Sequence, residues 1–305
     1  MSSTHRILLL GAGELGTAFL PHLSALPNTH ITIAVRSISK YTHLSGPNVT
    51  LLGLDTTGPS LQLSEIFSRY DTVISCTGFG QPIGTVTKLA HEILDAGKIR
   101  REAGKEKLWF FPWQWGVDYD ITKNGDGLMP LFGEQLNVRH LLREKASASH
   151  VKWTIVSTGL FMSMLFAPYW GVVEQQDDRI KVRALKDWDH KITVTDVADI
   201  GKALARIITG DVDSQDRILY VAADTLSYSQ LAETIENISG KKVEREKWSL
   251  LHLNEELEKD PNDDLKKYRV VFAKDGVWWD KEITVNQKLG IHMTTVKDYL
   301  EQLLK

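Results

Sequence analysis

The sequence predicts an α/β protein built on a doubly wound parallel sheet, with a smaller region after it. Three observations carry that prediction. An apolar run at residues 7–10 passes directly into Gly11-Ala12-Gly13-Glu14-Leu15-Gly16 and then Thr17-Ala18-Phe19-Leu20, which reads as strand, tight turn and helix. Further short apolar runs at 31–35, 49–54, 71–76, 107–111 and 151–156 are separated by stretches with helical apolar spacing, the alternation that gives a parallel sheet its crossovers. The run at 71–76 stops at Thr77-Gly78-Phe79-Gly80-Gln81-Pro82, a small-residue tip of the kind that open α/β sheets place beside a ligand.

In the opening unit Gly11 permits the sharp turn, Gly13 lets a diphosphate approach the backbone, and Gly16 lets the helix pack on the strand. This is the mechanical content of a Rossmann-type fingerprint. Backbone N–H groups around Glu14 and Leu15 open the helix, and its positive dipole end completes an anion site. The second strand, 31–35, is closed by Arg36 and followed by Ser37 and Lys40. The residue at that place faces the adenosine ribose. An acid there suits the free 2′-hydroxyl of NAD, whereas an arginine pairs with a 2′-phosphate, so Arg36 with Lys40 argues for NADP rather than for two solvated cations.

The third run ends at Asp55 and is followed by a crossover helix at 61–70. The tip of the fourth places Thr77, Gly78, Phe79 and Gln81 beside the cofactor, while Cys76 ends the strand as a small buried group. After a helix at 83–96 and a fifth strand come Phe110-Phe111-Pro112-Trp113-Gln114-Trp115-Gly116-Val117-Asp118-Tyr119-Asp120. Aromatics at a strand's carboxyl end suit either an apolar pocket over a planar ring or a buried turn. Pro112 and Trp113 fall where the cofactor would lie, and Trp113 and Trp115 are candidate pocket walls.

A helix at 131–145 has apolar positions at Leu131, Leu136, Val138, Leu141 and Leu142, with His140 on its polar face. Short strands at 180–182 and 191–193 flank a turn holding Trp188, Asp189 and His190; Asp196 caps a helix to 208, and 218–222 is a strand. Ser227 caps a helix at 228–239 that Gly240 ends, and Pro261 breaks the charged stretch 250–268 into two helical pieces. Trp278 and Trp279 either cover a pocket mouth or pack on neighbouring helices. The division expected is a nucleotide-binding domain at 1–157 and a substrate-binding region at 158–305, partly interleaved with it.

Composition narrows the setting. At 42% hydrophobic and 25% charged, with a net charge of −3, the chain has no electrostatic footprint for nucleic acid or an anionic membrane. One cysteine, Cys76, provides neither a disulfide framework nor a cysteine metal cluster, and neither His140 nor His150 has a His or Cys ligand partner at i+4, so no metal is expected. Residues 7–10 are too short for a signal peptide, and 160–173 is too short to span a bilayer and is broken by Pro168 and Gly171. A cytoplasmic protein, monomer or homodimer, is expected.

The pattern Phe111-Pro112-x-x-x-Gly116-Val117-Asp118-x-Asp120 resembles the FPSEFG-x-D-x-D segment of the isoflavone, pinoresinol–lariciresinol and phenylcoumaran benzylic ether reductases, atypical short-chain dehydrogenases of the NmrA-like superfamily. Its Trp-Gln-Trp version is similar to the aromatic alcohol reductase-like branch. The glycine loop, Arg36-Ser37, the segment 194–200 and Thr294-Thr295-Val296-x-x-Tyr299-Leu300 agree, so the resemblance spans the whole chain. It implies a lysine near the nicotinamide ribose that takes part in proton transfer. Here that position is Gln135, whose amide donates a hydrogen bond but cannot serve as a general acid near neutral pH. The resemblance also implies that Ser157-Thr158-Gly159-Leu160-Phe161-Met162 approaches nicotinamide and substrate, with Gly159, Phe161 and Met162 as pocket residues beside Trp113, Trp115 and Gln135. Tyr119-x-x-x-Lys123 has the spacing of the ordinary short-chain dehydrogenase pair, but the surrounding Asp, Asn and Gly residues read as loop.

The expected activity is an NADP-dependent reduction of a small aromatic or polyketide-like secondary metabolite. The alternatives are an NADP-binding regulator that senses redox state, and a non-redox isomerase, cyclase or dehydratase that retains the cofactor site.

Overall fold

The computed structural model describes residues 4–78, 80–175 and 179–304. They form two compact units, each drawn from several segments of the chain: Met1–Gln114, Gly133–Val156 and Gly201–Leu219 in the first, Trp115–Phe132, Ser157–Ile200 and Tyr220–Lys305 in the second.

The first unit is organised around a seven-stranded sheet. Its strands are β1 (His5–Leu10), β2 (Thr29–Val35), β3 (Val49–Gly53), β4 (Thr72–Ser75), β5 (Leu108–Phe111), β6 (Val151–Ser157) and a last strand, Arg217–Tyr220. In space the order runs from Arg217–Tyr220 through β6, β5, β4, β1 and β2 to β3. β1 pairs in parallel with both β2 and β4, as β2 does with β3, β4 with β5 and β5 with β6. The chain leaves β1 for β2 on one side and returns to β4 on the other, so the order reverses across β1. In such sheets that reversal opens the ligand crevice at the strands' carboxyl ends.

The apolar runs form these strands because a parallel sheet is covered on both faces, which removes the need for alternation. Ile7, Leu8 and Leu9 are fully buried, as are Val73 and Ile74. One face carries Leu8, Leu10, Val73, Phe110 and Ile155 against helix residues Leu63, Phe67, Leu89, Ile93 and Leu142 in a single core cluster. Arg100 is buried with its charge and donors met: its guanidinium donates to the carbonyls of Ser68, Tyr70 and Glu106 and meets Asp71 at 3.0 Å, which offsets the cost of desolvating it.

The second unit holds two three-stranded sheets. In one, Lys191–Thr195 lies between Leu160–Phe161 (parallel) and Asp224–Ser227 (antiparallel). In the other, Ile180–Leu185 lies between Val173–Gln175 (antiparallel) and Val243–Trp248 (parallel). Both strands expected here run longer than their apolar residues indicate. The helix expected at 228–239 is Tyr228–Ser239, with a reciprocal Ser227–Gln230 capping box and Gly240 in the left-handed region at φ 63°. The charged stretch divides around Pro261 into Leu250–Lys259 and Asp264–Phe272. The stretch from Tyr119, read as loop, is one helical turn, Tyr119–Thr122, because the Asp118 carboxylate accepts the Asp120 N–H and so starts a helix. Among the described residues no helix is long and apolar enough to cross a membrane.

Candidate functional site

In the first unit the turn after β1 has the stereochemistry its glycines predict. Gly11 sits at φ 100°, its N–H donates to the Ala34 carbonyl at 3.0 Å, and a β-carbon there would fall 2.5 Å from Thr77 Cγ2. A β-carbon on Gly16 would lie 2.1 Å from the Gly11 carbonyl oxygen. Gly13 differs, since a β-carbon there would meet nothing within 4 Å. It is the N-cap of the helix Glu14–Ser24 and, being glycine, brings no capping side chain to the first N–H groups. Glu14 is exposed at that terminus and Leu15 is buried beneath it. Two glycines are thus required by protein atoms, while the third borders open space beside an uncapped helix start. That arrangement fits a diphosphate held by backbone N–H groups.

Arg36 follows β2 and Lys40 ends the short turn Ile38–Lys40; both are exposed, and neither forms an ion pair among the described residues. Ser37 and Ser39 share a hydrogen bond at 3.2 Å between them. Two cations and two hydroxyls on five consecutive residues fit a phosphate monoester.

After β4, Cys76 is half-buried, where a buried group was expected, and desolvation pushes its thiol well above its usual range, which disfavours the thiolate. Thr77 reaches toward Gly11, and the indole of Trp113, from the loop after β5, covers Gly78. Gln81 donates its backbone N–H to the Gly78 carbonyl at 3.2 Å. Phe79 lies outside the described residues.

Pro112 is buried, and Gln114 beyond it anchors the loop to the helix Pro130–Lys145. Its amide nitrogen donates to the Gln135 carbonyl at 2.8 Å, and its amide oxygen accepts from Arg139 Nε at 2.8 Å. On the same helix Glu134 accepts the Thr87 N–H at 3.2 Å with one carboxylate oxygen, while the other has no partner. Gln135 is 1% exposed, and among the described residues neither its side-chain oxygen nor its nitrogen has a hydrogen-bond partner. An unsatisfied buried amide costs about 1–3 kcal/mol. A ligand group is one way to meet that cost.

The second unit assembles its candidate residues around a different set of bonds. Thr158 and Gly159 both donate backbone N–H groups to the Gly116 carbonyl, at 2.9 and 3.0 Å, and Gly159 at φ 71° has no room for a side chain against the Thr193 carbonyl. The Tyr220 hydroxyl donates to Asp118 at 2.7 Å, and its ring lies 5.1 Å from that of Trp279. Two buried donors, Thr158 Oγ1 and Trp279 Nε1, have no acceptor among the described residues. Trp115 and Met162 are buried and Phe161 is half-buried. Tyr119 is buried edge-on to Phe132 at 5.1 Å, whereas Lys123 is exposed just past the helical turn at φ 50°. One member of that pair lies inside and the other outside. Among the described residues no group of three His, Cys, Asp or Glu could hold a metal.

Sequence reasoning assigned no role to Gln114, Glu134, Arg139 or Tyr220, and it named Asp118 only as a member of the motif that carries the resemblance. Gln114 alone left a signal: a polar residue between two tryptophans needs a partner if that loop is buried.

A model of the NmrA-like family matches residues 3–300 of the chain. An NmrA-like family domain-containing oxidoreductase of Gibberella moniliformis is 38% identical over 312 residues, covering 97% of each chain. Among solved structures, the pinoresinol-lariciresinol and phenylcoumaran benzylic ether reductases align with a TM-score of 0.77 at 18% identity over 99% of each chain. The NADPH-dependent quinone oxidoreductase of Escherichia coli in complex with NADPH aligns with a TM-score of 0.71 at 20% identity, over 98% of this chain and all of its own, 100%. At those identities the structural likeness speaks to the fold.

Proposed function

The chain belongs to the NmrA-like family, and on that footing we propose that it is an NADPH-dependent reductase of a small aromatic or polyketide-like molecule. The observation that carries this reading is the contrast within one turn: Gly11 and Gly16 are fixed by protein contacts, while Gly13 borders open space at an uncapped helix start. A diphosphate is the group that geometry suits. Arg36 and Lys40, unpaired and exposed, supply the charge that a 2′-phosphate requires.

The nicotinamide, when bound, supplies the hydride. The chain positions the reactants and keeps water out. Gln135 contributes a hydrogen bond to a reacting oxygen through its unsatisfied amide, and Gln114 with Arg139 fixes the helical turn from which it projects. A carboxamide orients without transferring a proton, so the proton reaches the product from another donor or from water.

Calorimetric titration with NADPH and NADH tests the reading. NADPH binds the more tightly, and Arg36→Ala removes most of the preference; equal affinities for the two nucleotides overturn the assignment. If NADPH binds tightly yet aromatic aldehydes, enones and quinones all fail to oxidise it, the reductase assignment gives way to nucleotide sensing or to a non-redox isomerase, cyclase or dehydratase.

A further inference from the structure

The second unit contains a pocket of about 310 Å³ lined by Trp248, His252, Leu253, Glu256, Lys266 and Arg269. It lies where the end of strand Val243–Trp248 meets the helices Leu250–Lys259 and Asp264–Phe272. That volume is at the lower end of the range for small-molecule sites, about 300–1,000 Å³.

Its charge is unbalanced. The guanidinium carbons of Arg183 and Arg269 stand 5.0 and 5.2 Å from the Trp248 ring centroid. Arg183 is neutralised by Glu174 at 2.6 Å and Glu246 at 2.9 Å. Arg269 has no carboxylate partner among the described residues; Nε donates to the Trp170 carbonyl at 3.0 Å and Nη2 to the Tyr169 carbonyl at 2.8 Å. A guanidinium has five N–H donors. Two are used, so three remain, two of them on the Nη1–Nη2 edge, a fork that can pair with a carboxylate. Burial disfavours this charge most, Asp263 partly offsets that from a distance, and the neighbouring Arg183 adds to it, with the net effect of lowering the Arg269 pKa. Lys266 adds a second cation, held by the Glu256 carbonyl at 3.0 Å and 3.9 Å from that residue's carboxylate, while Trp248 and Leu253 supply apolar wall.

We propose that this pocket is a second binding site, for a small aromatic carboxylate whose anionic head pairs with the free edge of Arg269 and whose ring lies against Trp248 and Leu253. The site is independent of the nucleotide cradle and stands whether or not the reductase assignment does.

Ligand-observed NMR on the full chain, with benzoate as the probe and benzamide as its uncharged counterpart, tests the proposal. Benzoate binds and benzamide binds at least about tenfold more weakly, the difference one charged hydrogen-bonded pair supports. Arg269→Gln lowers benzoate affinity by a similar factor. Because Arg269 also ties down two carbonyls, Glu256→Gln provides a check at a half-buried side chain that holds no backbone carbonyl: removing the competing carboxylate tightens benzoate binding about two- to threefold. Affinity for NADPH is unchanged in Glu256→Gln. Absence of benzoate binding, equal binding of benzamide, or weaker benzoate binding in Glu256→Gln overturns the proposal.

Discussion

Trp113 and Gly78 pack as a pair: a β-carbon built on Gly78 falls 1.9 Å from Trp113 Cε3 and 2.1 Å from Cδ2. The loop after β4 and the loop after β5 are thereby locked together at the carboxyl ends of adjacent strands. The glycine is required by the indole and not by its own backbone, since Gly78 is absent from the positive-φ residues. Gly78→Ala therefore displaces the ring and costs about 1–3 kcal/mol, the usual penalty for overpacking. In Trp113→Ala the same substitution becomes nearly free. A double-mutant cycle by urea denaturation measures the coupling, and strict additivity of the two changes contradicts it.

The glycine loop separates stability from binding. Gly13→Ala places a methyl group in open space at a helix N-cap, so the fold loses about 1 kcal/mol or less. The same methyl group stands where a diphosphate approaches, so NADPH affinity falls at least about tenfold, equivalent to about 1.4 kcal/mol. Gly16→Ala behaves in the opposite way, forcing the Gly11 carbonyl aside and lowering the melting temperature directly. Thermal denaturation beside calorimetric titration distinguishes the two, and a Gly13→Ala protein with unimpaired NADPH binding counts against the cradle.

Elements legible in the sequence are those whose signal is local. The six runs that became β1–β6 are apolar because both faces of their sheet are covered, and Tyr228–Ser239 carries its start and stop in Ser227 and Gly240. Val243–Trp248 was not legible. Its residues read Val-Glu-Arg-Glu-Lys-Trp, and the strand is held by cross-strand charges that exist only once it pairs: Glu244 opposite Lys181 at 3.1 Å and Glu246 opposite Arg183 at 2.9 Å. The site divides in the same way. The glycine turn and Arg36 declare themselves by spacing, whereas Gln114, Glu134 and Arg139 acquire roles only when the loop after β5 meets a helix some twenty residues away, Gln114 and Gln135 being separated by 21 positions.

Acid should destabilise the protein through His190. Its ring is buried, stacks on Tyr228 at 6.3 Å and bonds the Phe272 carbonyl at 2.8 Å, which makes Nε2 the protonated nitrogen of a neutral imidazole. Burial lowers its pKa below the ordinary 6.5 and Lys186 acts in the same sense, against the Phe272 bond, Asp187 and Asp275. The unfolded chain therefore takes up the proton first. Stability from this group is complete above about pH 6.5 and declines as the pH falls below it. His190→Gln keeps an N–H donor and flattens that decline in melting temperature between pH 7.5 and 5.5. Part of the slope persists, because burial lowers His5 as well. Identical slopes in the variant and the parent protein rule out His190 as the source.

Gln135 sets function against stability. Its carboxamide is 1% exposed with both polar atoms unsatisfied, and its backbone carbonyl is already committed to Gln114. Replacing an unsatisfied buried amide with an apolar side chain of similar size removes a desolvation penalty of about 1–3 kcal/mol and leaves the Gln114 bond intact. Gln135→Leu is accordingly more stable than the parent protein, by an amount read from urea midpoints at constant slope. In the proposed reductase it also turns over more slowly, since the hydrogen bond to the reacting oxygen is lost, while NADPH binding persists. Gln135→Lys probes the other half of the argument: a lysine desolvated at this depth has a lowered pKa and can give up a proton near neutrality. Faster turnover in that variant, with a pH dependence absent from the parent, identifies position 135 as a proton-transfer position occupied here by an orienting group. A destabilised Gln135→Leu contradicts the unsatisfied amide, because only an amide that has found a partner is missed when it is removed.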